Sequence, residues 1–351
     1  MPGLESFLQL AFVRKHPQML GFWSDFETSF LGKKIGGEIR NPIFICGLAR
    51  SGTTLITHML SMHRETGTFQ YRDLPFIEVP YFWSFMNTLY YGNQTPVKRE
   101  HGDELFIDPH SPDAFEELLW KNAITDYEKE GFSAVLDEHY SNPALEKTLS
   151  MAIRKILYTR GKKAHYLSKG NYNLFRLRYI LRLFPDAKII LCVRNPFDHA
   201  HSLARVHAKF MELSNQDDNF AKRLSILGHF EFGPQRKAIR LPDCHEQQTL
   251  DHWERGEDYE GYLLQWSDVY AFAERFYRDI PNILWLDSRS MLTHKADTLR
   301  KLLQFCALPQ EEIDTNKALD LVKGSTSYPT LPTPYDAEAE RMYQSLLQLC
   351  R

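Results

Sequence analysis

The sequence predicts an α/β fold in which a central, mostly parallel sheet is flanked by helices. Short apolar runs have the length of buried strands, and amphipathic stretches follow them at helical spacing. With 43% hydrophobic and 25% charged residues over 351 positions, the composition is typical of a globular chain with a sizeable core. Strands that alternate with helices favour parallel pairing, because each helix carries the chain back across the sheet.

Four segments of the chain each combine a predicted strand with a predicted helix. The apolar runs are typical of strands that are buried on both faces, and a proline fits the first turn of a helix because its missing N–H costs nothing there. The predicted strand and helix pairs are 42–46 with 51–62, 165–168 with 172–184, 187–193 with a helix from Pro196, and 282–286 with 295–306.

Charge and cysteine usage exclude several classes of function. Lys and Arg number 42 against 45 Asp and Glu, and this balance argues against a nucleic-acid partner, which needs a basic field. Five cysteines without CxxC spacing predict neither a disulfide framework nor a zinc site, so we expect a reducing, cytoplasmic location. No stretch reaches the roughly 20 apolar residues of a membrane span, and the N-terminus does not have the pattern of a secretory signal.

Three of the predicted strands are followed by positively charged residues. The first is followed by a loop that contains Arg50, the second by Lys169 and the third by Arg194. Ligands of parallel α/β sheets bind at the carboxyl ends of the strands, so we expect these cations to lie at one edge. The sequence therefore predicts an anion site.

The first loop is Gly47-Leu-Ala-Arg50-Ser51-Gly52-Thr53-Thr54, and its end opens a helix. Its two glycines have the separation of a phosphate-binding loop, in which backbone N–H groups and the helix N-terminus face the anion. A nucleoside-triphosphate loop has a lysine directly after the second glycine, where this chain has Thr53. That difference disfavours a kinase and favours a loop that holds a 5′-phosphate without metal.

Taken together, the motifs resemble those of the sulfotransferases that use 3′-phosphoadenosine 5′-phosphosulfate. Residues 50–55 are similar to the phosphosulfate loop of the branch that includes the tyrosylprotein enzymes and many bacterial ones. The family's 3′-phosphate motif is an arginine at a strand end with a serine eight residues on, and Arg194 and Ser202 match it. Residues 168–171 and 184–187 are similar to the central block, and the resemblance covers about 41–308.

The resemblance implies a three-layer, P-loop-like fold and sulfuryl transfer to an acceptor hydroxyl, with adenosine 3′,5′-bisphosphate as the product and no metal required. Lys169 is expected to contact the bridging oxygen and the leaving phosphate, and Arg50 to share in catalysis. The expected donor-binding residues are Arg50, Ser51, Gly52, Thr53, Thr54, Arg194 and Ser202, with Lys323 and Gly324 as a reduced form of the basic-glycine turn of cytosolic members.

The family's general base has no direct match in this chain. Members use a glutamate after the first helix or a histidine two residues beyond the central lysine, and the matching positions hold Tyr71 and Asn171. Asp73 is the predicted base because it lies closest to the expected position, with Glu78 as a nearby candidate. The alternative for Asp73 is a capping or turn carboxylate paired with Arg72.

We predict a single domain over 1–351 with its core at about 41–308. The charged segment at about 203–266 lacks strand signals and is expected to be a helical insertion on the acceptor side that closes over the site. The segment 309–351 is expected to pack near the donor site. Histidines at 199, 201 and 207 lack the spacing of a metal site.

The acceptor is expected to be a small molecule, a lipid-like compound or a carbohydrate, and aromatic residues at 76–91 are expected to line part of its cleft or to be core. The oligomeric state cannot be read from the sequence. Two other functions stay open: a nucleoside or small-molecule kinase with the same loop, and a catalytically silent nucleotide-binding module that has lost its base.

Overall fold

The computed structural model describes Val13 and residues 15–91, 95–98, 105–124, 135–324, 328 and 331–350. The first twelve residues, which bear on the secretory-signal prediction, and the end of the predicted glycine turn at 325–327 lie outside these ranges. Within the described residues the strands are β1 (Ile43–Cys46), β2 (Thr66–Gly67), β3 (Val97–Lys98), β4 (Phe106–Ile107), β5 (His165–Lys169), β6 (Lys188–Val193) and β7 (Ile283–Asp287).

Five of these strands form the central sheet, in the order β2-β5-β1-β6-β7. Every neighbouring pair in it is parallel, with Ile43 beside Lys188 and Phe44 beside Ser168 in the register of the centre. Strands β3 and β4 form a separate antiparallel pair. The predicted α/β class with a mostly parallel sheet is confirmed.

Helices cover both faces of the sheet and fill most of the remaining described chain. They are α1 (Pro17–Leu31), α2 (Thr53–Ser61), α3 (Pro80–Tyr91), α4 (Glu117–Ala123), α5 (Pro143–Thr159), α6 (Leu177–Leu183), α7 (Pro196–Gln216), α8 (Asp218–Ile226), α9 (Glu246–Glu254), α10 (Asp258–Tyr277), α11 (Ser290–Thr293), α12 (Lys295–Phe305), α13 (Thr315–Asp320) and α14 (Asp336–Leu349). No helix among the described residues is both long enough and apolar enough to span a bilayer.

The side chains of β1 alternate between two separate cores, which makes the fold three-layered. Phe44 and Cys46 belong to a core that includes residues of α5, α6 and α10. Ile43 and Ile45 belong to the core on the other face, which includes residues of α2 and α12. Because successive side chains of a strand point to opposite faces, this short strand needs apolar residues at all four positions.

The four strand and helix units predicted from the sequence are all present, with small differences at their ends. The predicted helix at 172–184 begins as a 3₁₀ turn at Asn171–Arg176 and becomes α-helical at α6. Between 203 and 266 the described chain contains helical segments and no strand. Strand β2 was not predicted, because two residues are too few to show a periodic pattern.

The aromatic residues of α3 pack against α1. The ring of Phe82 lies 5.9 Å from that of Phe26 and 5.3 Å from that of Phe30, and Tyr81 contacts Phe30 and Phe85. On the outer side of this contact, large apolar side chains of α1 and α3 are exposed: Phe22, Trp23, Phe26, Phe30, Phe85, Met86 and Leu89. We call this group the aromatic surface.

Candidate functional site

The loop between β1 and α2 has backbone angles that its glycines make accessible. Gly47 has a φ of +145° and Gly52 a φ of +101°, both in the region that side chains disfavour. A Cβ atom on Gly47 would lie 2.6 Å from the carbonyl oxygen of Cys192, so only glycine fits between β1 and β6 there. Arg50 also has a positive φ, +74°, which costs a non-glycine residue about 1 kcal/mol or more.

A buried histidine holds this loop in place. His199, in α7, is fully buried, and its Nε2 lies 2.7 Å from the carbonyl oxygen of Ala49. Burial and the nearby charge of Arg194 lower the pKa of His199 to about 3. The ring is therefore neutral at physiological pH, and Nε2 carries the proton that it donates to the loop.

The structure brings Arg50, Arg194 and Ser202 together, as the sequence predicted for an anion site. Arg194 Nη1 donates to the main-chain oxygen of Arg50 at 3.1 Å, and Arg50 Nε donates to Ser202 Oγ at 3.3 Å. Burial, followed by the charge of Arg50, lowers the pKa of Arg194 despite the opposing charge of Asp198. A bound anion would offset this repulsion between the two arginines.

Ser51, Thr53 and Thr54, the other predicted loop residues with hydroxyl groups, follow Arg50 in the chain. The Ser51 hydroxyl oxygen is buried and makes no hydrogen bond within the described structure. Thr53 opens α2 and its hydroxyl lies 3.5 Å from Asn171 Oδ1, at the outer limit of a hydrogen bond. Thr54, the next residue of α2, is partly exposed.

The C-terminal segment reaches α7 through Tyr328. The Tyr328 amide donates to Asp198 Oδ1 at 3.1 Å, and its ring stacks on that of His201 with centroids 5.4 Å apart. Lys323 and Gly324 are exposed just after α13. Their contact with a 3′-phosphate stays a prediction.

Lys169, at the end of β5, forms a buried ion pair that the sequence did not reveal. Its Nζ atom lies 2.6 Å from Asp113 Oδ1, and the two side chains are only 3% and 7% exposed. Asp113 Oδ2 accepts a hydrogen bond of 3.0 Å from the Tyr71 hydroxyl, and Asp113 Oδ1 accepts one of 2.8 Å from the Ala114 amide. Asp113 lies in the segment just before α4, which begins at Glu117.

Asn171 links the loop to the segment that follows α8. Its amide nitrogen donates to Glu231 Oε1 at 2.8 Å, and His229 Nδ1 lies 3.6 Å from Glu231 Oε2. Burial alone would raise the pKa of Glu231, but the contacts with His229 and Asn171 outweigh it, so the pKa is lowered. No group of three or more side chains in the described ranges is arranged to hold a metal ion.

Asp73, the predicted base, is the buried last residue of a short 3₁₀ turn, Tyr71–Asp73. Its Oδ2 atom accepts a hydrogen bond of 2.7 Å from the Gln70 amide and pairs with the Arg160 guanidinium. Its Oδ1 atom is buried and makes no hydrogen bond. The carboxylate thus caps a turn, as in the alternative interpretation, although the described ion-pair partner is Arg160 and Arg72 Nε donates to Gln70. Whether Asp73 also takes a proton stays a prediction.

Two solved sulfotransferases are similar to this chain in structure. Sulfotransferase STF1 from Mycobacterium tuberculosis H37Rv superposes with a TM-score of 0.50 at 14% identity, covering 93% of this chain and 82% of that one. For sulfotransferase STF9 from Mycobacterium avium the TM-score is 0.45 at 14% identity, covering 98% of this chain and 74% of that one. The first of these likenesses shows the fold.

Comparison of the sequence found a relative and a family match. An uncharacterized protein of Aquifex aeolicus (strain VF5) is 23% identical over 278 residues, which are 79% of this chain and 27% of that protein. The chain thus spans about a quarter of the length of that relative. The model of the sulfotransferase family matches residues 42–229, more than half of the chain. The chain therefore belongs to the sulfotransferase family.

Proposed function

We propose that this chain transfers the sulfuryl group of 3′-phosphoadenosine 5′-phosphosulfate to an acceptor hydroxyl by in-line displacement. The observation that carries the proposal is the contact between Arg194 and Arg50 at neighbouring strand ends. The donor has two separate anionic groups, and a site with one arginine in the loop and one at the next strand end suits both. The proposed branch of the family, the one that includes the tyrosylprotein enzymes and many bacterial ones, rests on the Arg-Ser-Gly-Thr-Thr sequence of residues 50–54 alone.

The residues of the loop fit a phosphosulfate. The buried Ser51 hydroxyl has no partner within the described structure, and the N-terminus of α2 presents amide groups that lack intrahelical acceptors. Gly47 leaves no room for a side chain between the loop and β6. Ser202 lies within reach of Arg50, so the 3′-phosphate motif and the loop form one continuous site.

The donor supplies an activated sulfuryl group and a good leaving group. Around it, Arg50 and the loop amides stabilise negative charge on the 5′ side, and Arg194 with Ser202 binds the 3′-phosphate. Lys169 neutralises the charge that develops on the leaving phosphate, which lowers the transition-state energy more than the ground-state energy. Lys169 and Arg194 are held at strand ends, and Arg50 is held by its contact with Ser202 of α7, so little reorganisation is needed during the reaction.

Two carboxylates compete for the role of general base. Asp73 is the candidate from the sequence, and its carboxylate is engaged by Arg160 and the Gln70 amide. Asp113 is the candidate from the geometry, because it contacts Lys169 directly. The acceptor hydroxyl belongs to a small molecule, a lipid-like compound or a carbohydrate, and the five free cysteines fit the cytoplasmic location expected from the sequence.

Thermal melting with nucleotides tests the donor assignment. Adenosine 3′,5′-bisphosphate at 100 times its Kd should stabilise the fold by about 3 kcal/mol without added metal. Stabilisation by ATP with Mg²⁺ and none by the bisphosphate would favour the kinase alternative. Labelled donor with an acceptor panel then separates an enzyme from a silent nucleotide-binding module, with transfer of label as the expected result.

A further inference from the structure

The position at which the family's glutamate is expected holds Tyr71, and the Tyr71 hydroxyl hydrogen-bonds to Asp113. Asp113 is 42 residues further along the chain and is brought to this point by the segment before α4. We propose that Asp113 is the group that takes the proton of the acceptor hydroxyl, and that Lys169 holds it until the donor is bound. This inference rests on the proposed function and adds the residue that completes its chemistry.

Asp113 lies close to the atoms that react in the proposed transfer. Lys169 Nζ, which contacts the leaving phosphate in the proposed function, lies 2.6 Å from Asp113 Oδ1. In an in-line displacement the incoming oxygen and the leaving oxygen flank the same sulfur atom. A base must therefore lie within a few ångströms of the group that neutralises the leaving oxygen, and Asp113 meets this condition.

There is space for a small group beside the Asp113 carboxylate. A cavity of about 20 Å³ adjoins Asp113 and is also lined by Tyr71, Phe115, Leu118 and His229. This volume is enough for one water molecule or one hydroxyl group. Among the residues that line it, Tyr71, Asp113 and His229 have polar side chains, and the others are apolar.

Asp113 differs from two neighbouring carboxylates, Glu231 and Glu117, in its partner. Glu231 is bound by Asn171, and Glu117 pairs with Arg176, whose guanidinium lies 4.0 Å from the centroid of the Trp120 ring. Asn171 and Arg176, the partners of these two carboxylates, have no role in the proposed reaction. Asp113 pairs with Lys169, the cation that the leaving phosphate attracts, so the reaction itself releases this carboxylate.

The step balances as follows. The acceptor O–H proton moves to an Asp113 carboxylate oxygen while the acceptor oxygen forms a bond to sulfur. The bond between sulfur and the bridging oxygen breaks, and its electron pair stays on the 5′-phosphate of adenosine 3′,5′-bisphosphate, where Lys169 neutralises it. Asp113 then returns its proton to solvent and pairs with Lys169 again.

Asp113→Asn tests the proposal without knowledge of the natural acceptor. Water in the cavity can take the acceptor's place, so slow release of sulfate from the donor is measurable in the absence of any acceptor. We expect Asp113→Asn to lower this release by about 100-fold or more. Asp113→Glu should restore part of the rate, and Asp108→Asn, in the same segment, serves as the matched control.

A binding measurement supplies a second readout. In Asp113→Asn, Lys169 no longer pairs with a carboxylate, so calorimetry should show that adenosine 3′,5′-bisphosphate binds at least as tightly as to the unaltered chain. Release of sulfate within about threefold of the Asp108→Asn control would overturn the proposal. A loss of bisphosphate affinity of more than about tenfold would also overturn it, because Asp113 would then act by shaping the donor site.

These outcomes are distinct from failure of the proposed function. If the unaltered chain does not bind the bisphosphate, the donor assignment fails. If the unaltered chain binds it and releases sulfate but Asp113→Asn does so equally well, the donor assignment stands and Asp113 is excluded as the base.

Discussion

Arg194 donates a hydrogen bond of 3.1 Å from Nη1 to the main-chain oxygen of Arg50. The two residues follow β6 and β1, which pair in parallel with Cys46 beside Leu191. The register of the sheet therefore places Arg194 beside the loop that carries Arg50. One consequence is that Arg194, the proposed ligand of the 3′-phosphate, also holds the conformation of the loop.

Arg194→Met should weaken the binding of adenosine 3′,5′-bisphosphate by about 10-fold to 100-fold, because a hydrogen bond to a charged group contributes about 1.5–3 kcal/mol. Isothermal calorimetry measures this change directly. Arg300→Met, an exposed arginine of α12, is the control and should leave the affinity unchanged. Equal affinities for the two variants would remove Arg194 from the donor site.

Lys169→Met should lower turnover by at least about 100-fold and should also destabilise the fold, since it leaves the buried Asp113 carboxylate without its cation. A double variant, Lys169→Met with Asp113→Asn, should recover stability but not turnover. Denaturant unfolding and a transfer assay are applied to the unaltered chain, the two single variants and the double variant. They give the coupling energy between Lys169 and Asp113 for stability and for turnover. Recovery of turnover in the double variant would contradict the assignment.

Gly47→Ala should destabilise the fold by about 2 kcal/mol or more, because it combines a disfavoured φ of +145° with a contact of 2.6 Å to the Cys192 carbonyl oxygen. Gly21→Ala is the matched control. Gly21 lies in α1 with open space around its Cβ position, so alanine there should raise helix stability by about 0.5–1 kcal/mol. Chemical denaturation compares the two.

Asp73→Asn distinguishes the two candidate bases. If Asp73 takes the proton, as the sequence predicts, turnover should fall by orders of magnitude with donor binding unchanged. If Asp113 does, the main effect should be a loss of about 3 kcal/mol of stability, because Arg160 is left buried without its carboxylate. Turnover per folded molecule, measured beside Asp113→Asn, gives the answer.

Stability should fall as the pH is lowered from 7 towards 4, partly through His199. Its pKa of about 3 in the fold lies below the value of about 6.5 in an unfolded chain, so the unfolded state binds more protons between these values. At pH 5 this contributes a loss of about 2 kcal/mol relative to pH 7. In urea unfolding, His199→Gln should make the free energy of unfolding depend less steeply on pH. An unchanged dependence would contradict a neutral, buried His199 in the fold.

Local patterns predicted the elements that carry the candidate anion site. The apolar run before Gly47, the arginine after β6 and the proline that opens α7 are each recognisable within a few residues. This is why the sequence analysis could place Arg50, Arg194 and Ser202 near one another, and the structure brings these three residues into contact. Their roles in donor binding stay a prediction.

The ion pairs of the two candidate bases join distant segments, which no local pattern encodes. Lys169 meets Asp113 across 56 positions of sequence, and Asp73 meets Arg160 across 87. Lys169 ends β5 and Arg160 follows α5, whereas both aspartates lie between α2 and α4. A sequence reading that looks for a base near its expected place in the chain selects Asp73 and passes over Asp113.

The aromatic surface on α1 and α3 affects how the protein behaves on purification. Phe22 is 66% exposed and Phe85 65%, and their neighbours add further ring area. Sulfate salts strengthen the association of apolar surfaces. The protein should therefore be retained on phenyl resin at moderate ammonium sulfate, and a low-salt buffer with a mild non-ionic detergent should keep it dispersed at high concentration.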